Sequence, residues 1–315
     1  MSVPEPKLAV IIPAYNAARW LPLSVGTVVE QSYRNLEVIV VDDESKDDTE
    51  ACVRELSAKD PRILYRKQKN QGCAASRNTG LKEISADVEF VMFLDADDEL
   101  EPGILAALVA GFAADPSSVA IYGSVRYIGP DGQPVRAGEA EYWTAARRRL
   151  SGSTSVACTP TEPSTFEVMV INHCIFSAGQ VLLRRAVVES MNGFESRLRA
   201  VEDWHMWIRV TSRGHHFRYV DVPALRYRRH SETQLSSNFA HMEASRAQMH
   251  AFLEEELTPE KVQILRRGRR ERKRLASLVW LGWAGVAARK GKLLTAANQV
   301  RHAVQDYAKY LIDPA

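Results

Sequence analysis

Three aspartates stand within four positions at the end of an apolar stretch of the chain. Residues 88–94 are rich in valine and phenylalanine and have the length of a buried strand, and Asp95, Asp97 and Asp98 follow directly. Like charges this close repel one another, and carboxylate oxygens are the ligands that hard divalent cations prefer. The stretch therefore predicts a metal site at the carboxyl end of a strand. The alternative is an acidic turn that caps a helix beginning near Pro102.

A second acidic loop follows another apolar run, residues 36–41. Asp42 and Asp43 stand at the predicted turn from this strand into a helix. Carboxylates in that place can accept hydrogen bonds from a ribose hydroxyl or a nucleobase N–H, whereas a phosphate would be held by glycines and a helix N-terminus. The glycine-rich dinucleotide fingerprint is absent from the first half of the chain. The loop thus favours contacts with a nucleoside, while helix capping is the simpler interpretation for Asp48 and Thr49.

The strands that carry these acids belong to an alternating pattern of strands and helices. Strands are predicted over residues 7–13, 36–41, 63–67 and 88–94, and the segments between them include helices, the first within residues 15–31. Continuous apolar runs indicate parallel strands that are covered on both faces. In such α/β folds, ligands bind outside the carboxyl ends of the strands. We therefore predict a mostly parallel, Rossmann-like central sheet flanked by helices, with both acidic loops at one edge.

The second half of the chain is less regular. Strands are predicted over residues 119–128, 180–185 and 216–222, and helices over residues 185–191 and from Glu202. Residues 137–168 have no clear period and are interpreted as a loop with a partial helix, whereas the chain has helical character from about residue 240 to its end. We expect one domain over residues 1–238, divided into halves at 7–128 and 129–238, and a C-terminal helical appendage over residues 239–315.

Charge is unevenly distributed along the 315 residues. The net charge of +2 combines a net +9 for residues 260–315 with a net −7 for residues 1–259. No apolar run is long enough to span a membrane, and the first residues lack the basic and apolar regions of a signal peptide. The four cysteines are widely spaced, which is typical of reduced thiols. These features predict a cytoplasmic protein with a mildly acidic body and a basic tail.

Several short strings, in a fixed order, are similar to the motifs of one enzyme family. The strings in the first half are Val10-Ile-Ile-Pro-Ala-Tyr-Asn16, Val40-Val-Asp-Asp-Glu-Ser45, Asn70-Gln-Gly72 with Ala75-Ser-Arg77-Asn78-Thr-Gly80, and Leu94-Asp-Ala-Asp-Asp98. Those further on are Asn192-Gly-Phe194, Glu202-Asp203-Trp204 with Trp207 and Arg209, and Tyr227-Arg228-Arg-His230. Over roughly residues 7–235 the chain thereby resembles glycosyltransferase family 2. The resemblance implies the GT-A fold and transfer of a sugar from a nucleoside diphosphate sugar.

The resemblance also implies which residues hold the nucleotide. The implied set is Pro13, Ala14 and Tyr15 along the base, Asp43 and more weakly Asp42 at the base, Arg77 near the base and ribose, and Asp95 at the ribose. For Arg77, a salt bridge inside the domain is the structural alternative. The family usually has glycine where this chain has Glu44. The loop after the second strand must therefore accommodate a side chain that the family lacks.

The implied chemistry needs a divalent metal, because the leaving diphosphate gains charge as the bond to the sugar breaks. By resemblance, Asp97 would ligate the metal that bridges the two phosphates, with Asp98 in a supporting role. His230 lies in the family's closing loop and would contact the metal or the diphosphate. Arg228 or Arg229 would pair with a diphosphate oxygen. Oxygen ligands without a cluster of His and Cys favour Mg or Mn over zinc.

Glu202 and Asp203 are the candidates for a general base. An acceptor hydroxyl becomes a good nucleophile when a carboxylate takes its proton. The family pattern implies Asp203 for that step, with Glu202 orienting or binding the acceptor, and a single base opposite the leaving group implies inversion at the anomeric carbon. The alternative is that both acids only stabilise a helix N-terminus. The neighbouring Trp204 and Trp207 would form a platform for a sugar or fill the core.

The basic tail predicts an interaction of its own. Residues 266–274 are mostly arginine and lysine, and they precede an apolar stretch, 278–283, that is too short to span a bilayer. The tail would lie on the inner face of the cell membrane, where a lipid-linked acceptor is found, or pack on the body or on a second subunit. No nucleic-acid recognition module accompanies the basic run, so nucleic acid is not an expected partner.

The expected partners are a nucleoside diphosphate sugar, in the first place a UDP-sugar, and a glycan or lipid-linked acceptor. Three other functions compete. A non-catalytic sugar-nucleotide binding module would not need the acidic pair at 202–203. A metal-dependent phosphohydrolase would carry its paired aspartates on the first strand, and a nucleotide-sugar pyrophosphorylase would have a glycine-rich N-terminal loop. Neither of these last two features is found in the sequence.

Overall fold

One eight-stranded sheet organises the protein. The computed structural model describes residues 5–135, 147–152, 154–171, 174–229, 239–289 and 293–312. The strands of the sheet, numbered along the chain, are β1 (Lys7–Ala14), β2 (Leu36–Asp42), β3 (Ile63–Lys67), β4 (Val88–Phe93), β5 (Glu99–Leu100), β6 (Ala120–Ile128), β9 (Val181–Arg184) and β10 (Phe217–Arg228). β7 (Arg148–Ser151) and β8 (Thr154–Ala157) pair separately as an antiparallel hairpin.

The sheet order is β3-β2-β1-β4-β9-β6-β10-β5. Strands β1 to β4 run parallel to one another, and β6 and β10 run parallel to each other, whereas β9 and β5 run antiparallel to the strands beside them. The prediction of a mostly parallel central sheet is therefore confirmed. Because β1, β2 and β4 are parallel, their carboxyl ends lie at one edge, and Ala14 stands opposite Asp42 in the register.

Helices cover both faces of this sheet. In chain order they are α1 (Leu21–Val29), α2 (Thr49–Lys59), α3 (Cys73–Glu83), α4 (Ile104–Ala114), α5 (Phe166–Met169), α6 (Arg185–Ser190), α7 (Glu202–Ser212), α8 (Phe239–Glu256), α9 (Pro259–Arg289) and α10 (Leu293–Ile312). α1 is shorter than the range 15–31 in which the sequence predicted it, because residues 15–20 form the turn that leaves β1.

Two hydrophobic clusters explain why the strands are apolar along their whole length. Alternate residues of β1 enter different clusters: Val10 and Ile12 belong to one, and Ala9 and Ile11 belong to the other. All four side chains are fully buried. α3 lies so close to β1 that a Cβ atom on Gly80 would stand 2.3 Å from Ile11 Cγ2. The glycine therefore lets the helix that begins at the sheet edge approach the strand.

The second half departs from the prediction in two places. β10 continues to Arg228, beyond the predicted end at residue 222, because it pairs with β6 across register shifts on both sides of Pro223. The stretch 137–168, predicted as a loop with a partial helix, contains β7, β8 and the short α5 within its described residues. Periodicity alone does not reveal such short strands.

The C-terminal segment is helical, as the sequence predicted, and its first part packs on the body. Leu253 of α8 and Leu265 of α9 are fully buried in one of the two hydrophobic clusters. Ser155 Oγ donates a hydrogen bond of 2.5 Å to Glu271 of α9. No helix in the described part of the chain combines the length and the apolar character that a bilayer crossing requires.

Candidate functional site

A cavity of about 540 Å³ lies at the carboxyl edge of β1, β2 and β4. Its walls come from the turns that follow these three strands, from the start of α3 and from the segment before α7. Six of the residues predicted from the sequence line this cavity: Pro13, Ala14, Tyr15, Asp43, Asp95 and Asp97. The structure therefore brings five of the predicted nucleotide contacts and one predicted metal ligand, Asp97, to one place.

The turn after β1 is held by the turn after β2. The backbone N–H of Asn16 donates to Ser45 Oγ (2.9 Å), and Asn16 Oδ1 accepts a hydrogen bond from the backbone of Lys46 (2.8 Å). Tyr15 is left 53% exposed beside the cavity. Asp48 occupies the N-cap position of α2, as predicted, but its side chain makes no capping hydrogen bond, and Asp47 accepts from the Thr49 backbone instead.

Asp42 and Asp43 have different environments despite their adjacency. The Asp43 carboxylate lines the cavity and accepts hydrogen bonds from the backbone N–H groups of Gln71 (2.9 Å) and Gly72 (2.7 Å). Asp42 is fully buried, and its oxygens accept from the Ser45 backbone (2.8 Å) and Tyr65 Oη (2.7 Å). Within the described residues, Asp42 is not part of the cavity wall. The Asp42 side chain therefore stabilises the loop and does not contact the cavity.

Glu44 takes the backbone conformation for which the family uses glycine. Its φ is +66°, in the left-handed region that residues with a side chain seldom occupy. The loop after β2 therefore holds Glu44 in a conformation that favours glycine.

Arg77 joins the two halves of the chain. It is 2% exposed, and its terminal nitrogens donate to Asp95 Oδ1 (2.8 Å) and Glu202 Oε1 (2.5 Å). The guanidinium also lies 5.3 Å from the ring centroid of Phe194. Asp95 belongs to the cavity wall and Glu202 begins α7, so one buried cation bridges the acidic turn and the helix of the candidate base. The salt-bridge alternative for Arg77 is the arrangement found.

Asp98 and Arg228 are buried beneath the acidic turn and stabilise it through hydrogen bonds and an ion pair. The Asp98 carboxylate is buried and accepts a hydrogen bond from the Arg228 backbone (2.9 Å), and burial raises its pKa well above the usual range. The Arg228 guanidinium is also buried, pairs with Glu99 and donates to the Asp97 carbonyl (3.0 Å). Within the described part of the chain, Arg228 is not in the cavity wall. It positions the main chain that carries Asp97.

α7 begins after an uncommon backbone conformation. Val201 has a φ of +58°, which is rare for a β-branched residue, and such strain is found most often at functional sites. Glu202 and Asp203 follow in the first turn and are 7% and 9% exposed. Burial raises the pKa of Glu202, the charge of Asp203 raises it further, and Arg77 opposes both effects. The strained residue thus places two acids beside the buried arginine.

The two tryptophans of α7 fill the core. Trp204 and Trp207 are 1% and 0% exposed, and Trp204 Nε1 donates to the Met169 carbonyl (2.7 Å). A sugar cannot stack on a face that is fully covered by protein. The core alternative for these residues therefore holds.

His205, on the same helix, predicts a pH dependence of stability. It is fully buried, and burial lowers its pKa from 6.5 to about 4. Below pH 6.5 the histidine is protonated in the unfolded chain, whereas in the folded chain it stays neutral until about pH 4. The free energy of unfolding should therefore fall by about 3 kcal/mol from this group as the pH decreases across that range. Denaturant unfolding at several pH values measures the slope.

The comparison for this prediction is His205→Asn, which removes the titrating ring. The variant should be less stable at neutral pH, because a cavity or a new polar group enters the core, but its slope between pH 4 and 6.5 should be flatter. His215→Asn, which changes a half-buried histidine on another segment, is the matched control. Equal slopes for wild type and His205→Asn would contradict the prediction.

The residues at the acidic turn fit a divalent metal. Burial and the charge of Asp97 raise the pKa of Asp95, and a bound cation would relieve that repulsion. The described residues contain no group of three or more His, Cys, Asp or Glu side chains able to hold a metal. Asp97 would thus supply part of the coordination, and Mg²⁺ commonly takes the rest from substrate phosphates and water. His230, the other predicted ligand, lies outside the described residues.

The sequence interpretation missed several residues of the cavity wall. These are Asn16, Ala17, Trp20, Asn70, Gly72, Cys73, Ser76, Ala96, Arg199 and His241. Most lie within or next to the recognised strings, so their positions in the sequence could have identified them as residues of the site. Arg199 and His241 belong to no such string. They reach the cavity because the segment before α7 and the start of α8 fold back to it. The Arg199 guanidinium donates to the Gln71 carbonyl (2.9 Å).

Comparison with known sequences gives a consistent result. The family model described as Glycosyl transferase family 2 matches residues 9–172, just over half of the chain. Glycosyltransferase GlyA of Streptococcus pneumoniae is 35% identical over 117 residues, which cover 37% of this chain and 16% of that protein. The GalNAc(5)-diNAcBac-PP-undecaprenol beta-1,3-glucosyltransferase of Campylobacter jejuni is 42% identical over 106 residues, 33% of this chain and 34% of that protein. The chain thus spans about a third or less of these relatives.

Solved structures share the fold at low sequence identity. S. aureus TarS 1–349 in complex with UDP-GlcNAc has a TM-score of 0.57 and 17% identity, over 95% of this chain and 92% of that chain. The mannosyltransferase PcManGT from Pyrobaculum calidifontis, in complex with GDP-Man and Mn²⁺, has a TM-score of 0.59 and 20% identity, over 98% and 88%. The curled, mostly parallel sheet with its acidic turn at one edge therefore defines a GT-A protein. More narrowly, the chain belongs to glycosyltransferase family 2.

Proposed function

We propose that this chain transfers a sugar from a nucleoside diphosphate sugar to a hydroxyl of a glycan or lipid-linked glycan. The observation that carries the proposal is that the buried cation Arg77 connects the acidic wall of the edge cavity with the helix bearing Asp203. A UDP-sugar is the preferred donor, and the S. aureus structure with UDP-GlcNAc supports that choice. The name of the Campylobacter relative, which specifies an undecaprenol-linked substrate, supports a lipid-linked acceptor.

On the donor side, we assign each residue to one part of the nucleoside diphosphate sugar. Pro13, Ala14 and Tyr15 line the face on which the base would lie. Asp43 is the contact for the base, since a carboxylate can accept more hydrogen bonds than the three that Gln68, Gln71 and Gly72 give it. Asp95 is the contact for the ribose. Mg or Mn held by Asp97 would neutralise the charge that grows on the leaving diphosphate.

On the acceptor side, Asp203 takes the proton of the attacking hydroxyl. The acceptor oxygen forms its bond to the anomeric carbon while the bond from that carbon to the diphosphate oxygen breaks. Attack from the face opposite the diphosphate inverts the configuration. Glu202 is held by Arg77, so it orients the start of α7 and contacts the acceptor rather than taking the proton.

A panel of donors tests the proposal against the non-catalytic alternative. The purified chain is incubated with UDP-, GDP- and dTDP-sugars, with Mg²⁺ or Mn²⁺, and with glycan and lipid-linked acceptors. Release of the nucleoside diphosphate is measured. We expect metal-dependent release with one class of donor. Donor binding without release for every donor and acceptor would favour a binding module and reject the transferase.

Asp97→Asn tests the metal site in the same system. The substitution keeps the shape of the side chain but removes its charge, so metal-dependent donor binding should weaken by roughly 100-fold. Isothermal titration calorimetry with the donor, at several metal concentrations, measures the effect. Asp87→Asn, at an exposed aspartate that pairs with Lys7, is the control and should bind like wild type. An Asp97→Asn variant with unchanged metal dependence would remove Asp97 from the metal site.

A further inference from the structure

The exposed apolar side chains of the protein concentrate on its last two helices. Among the described residues, nine large hydrophobic side chains are exposed, and five of them belong to α9 and α10. These five, which we call the hairpin surface, are Leu278 (51% exposed), Leu281 (47%), Leu294 (86%), Val300 (42%) and Val304 (61%). Exposed apolar groups that cluster in this way usually mark a binding surface.

The first part of α9 is already occupied by the body of the protein. Arg266 pairs with Glu254 of α8 at 2.7 Å, Glu271 accepts a hydrogen bond from Ser155 Oγ (2.5 Å), and the Arg272 guanidinium lies 5.2 Å from the Trp204 ring centroid. Gly268 lies so close to Val170 that a Cβ atom would stand 2.6 Å from its side chain. The basic run 266–274 therefore docks the helix on the domain. The part of α9 that is available to another partner begins at Leu278.

The charge around the hairpin surface has one sign. Between Leu278 and Asp306 the sequence contains four lysines and arginines but no aspartate or glutamate. Arg289 and Arg301, which belong to this stretch, are exposed. Residues 1–259, by contrast, carry a net charge of −7. An anionic surface would attract the end of the hairpin and repel the body, so the charge distribution orients the molecule.

We propose that the hairpin surface inserts into the interface of an anionic lipid bilayer, with α9 and α10 lying in its plane. Apolar side chains bordered by cations are the combination that such binding needs, because the apolar groups enter the acyl boundary while Lys and Arg meet anionic headgroups. Two hairpin surfaces brought face to face would instead oppose cation to cation.

Vesicle flotation with the full chain tests this proposal. Vesicles of phosphatidylcholine with phosphatidylglycerol are compared with vesicles of phosphatidylcholine alone, without donor or acceptor. We expect binding to the anionic vesicles that is about tenfold stronger than to the neutral ones and that weakens as salt is raised. Because no substrate is present, failure here leaves the proposed transfer reaction untouched.

Two sets of variants assign the contact to the hairpin surface. Leu294→Asp and Val304→Asp change exposed side chains, so both variants should fold and should lose anionic-vesicle binding by about tenfold or more. Leu23→Asp, at a similarly exposed leucine of α1 (48%), is the matched control and should bind like wild type. No binding to anionic vesicles, or equal losses in all three variants, would overturn the proposal. The proposal would also be overturned if the protein did not bind vesicles and light scattering showed that it dimerises through the hairpin surface.

Discussion

Asp203→Asn is expected to abolish turnover while the donor still binds. The substitution removes the proton acceptor and leaves a side chain of the same size, so the loss should reach about 10²–10⁴ in kcat. The donor contacts lie in the cavity wall, which does not include Asp203 among the described residues. The Kd of the donor should therefore stay within about twofold of wild type, since no donor contact is removed. Calorimetry and diphosphate release, with the donor and acceptor found in the panel, measure the two quantities.

The same substitution separates a base from a helix-terminal charge. If Asp203 only complemented the dipole of α7, asparagine would cost at most about 1 kcal/mol of stability and would leave turnover nearly unchanged. Glu50→Gln, in the first turn of α2, removes an acid from an equivalent place in another helix and is the control. Turnover of Asp203→Asn equal to that of this control would assign the proton transfer to another group.

The first half of the fold was predictable because its physical causes are local. β1, β2 and β4 are buried on both faces, so each is a continuous apolar run that ends where polar residues begin. The acidic turns necessarily meet, because parallel strands end at the same edge. β5 and the hairpin of β7 and β8 were not predictable, since two to four residues carry no readable period.

The site was predictable as a set of positions but less so as a set of roles. Asp42 and Asp43 are adjacent and chemically identical, yet only one of them lines the cavity. Arg228 belongs to a recognised string, but its buried guanidinium supports the acidic turn. Which way a side chain points depends on the segments that pack around it, and those come from far along the chain. Arg199 and His241 were missed for the same reason.

Replacement of Arg77 should have the largest effect on both stability and turnover. Arg77→Met leaves the buried Glu202 and the half-buried Asp95 without their shared cation, which should lower the free energy of unfolding by about 3–5 kcal/mol. Arg54→Met breaks an exposed pair with Glu50 and should lower the free energy of unfolding far less than Arg77→Met does, because solvent screens the exposed charges. Denaturant unfolding compares the two variants. Similar losses of unfolding free energy in the two variants would show that burial of the Arg77 ion pairs does not add to their effect on stability.

A coupling measurement then decides whether Arg77 links the two halves of the site. Arg77 and Glu202 are combined in a double-mutant cycle with Arg77→Met and Glu202→Gln, and the two losses of stability should fall short of additivity by at least about 1 kcal/mol. Arg77→Lys should retain part of the stability but not the turnover, because one ammonium cannot hold both carboxylates as the planar guanidinium does. In that variant kcat should fall more than KM rises, since α7 loses its alignment while the donor contacts remain. Additive losses, or wild-type turnover in Arg77→Lys, would reduce Arg77 to a local support of α3.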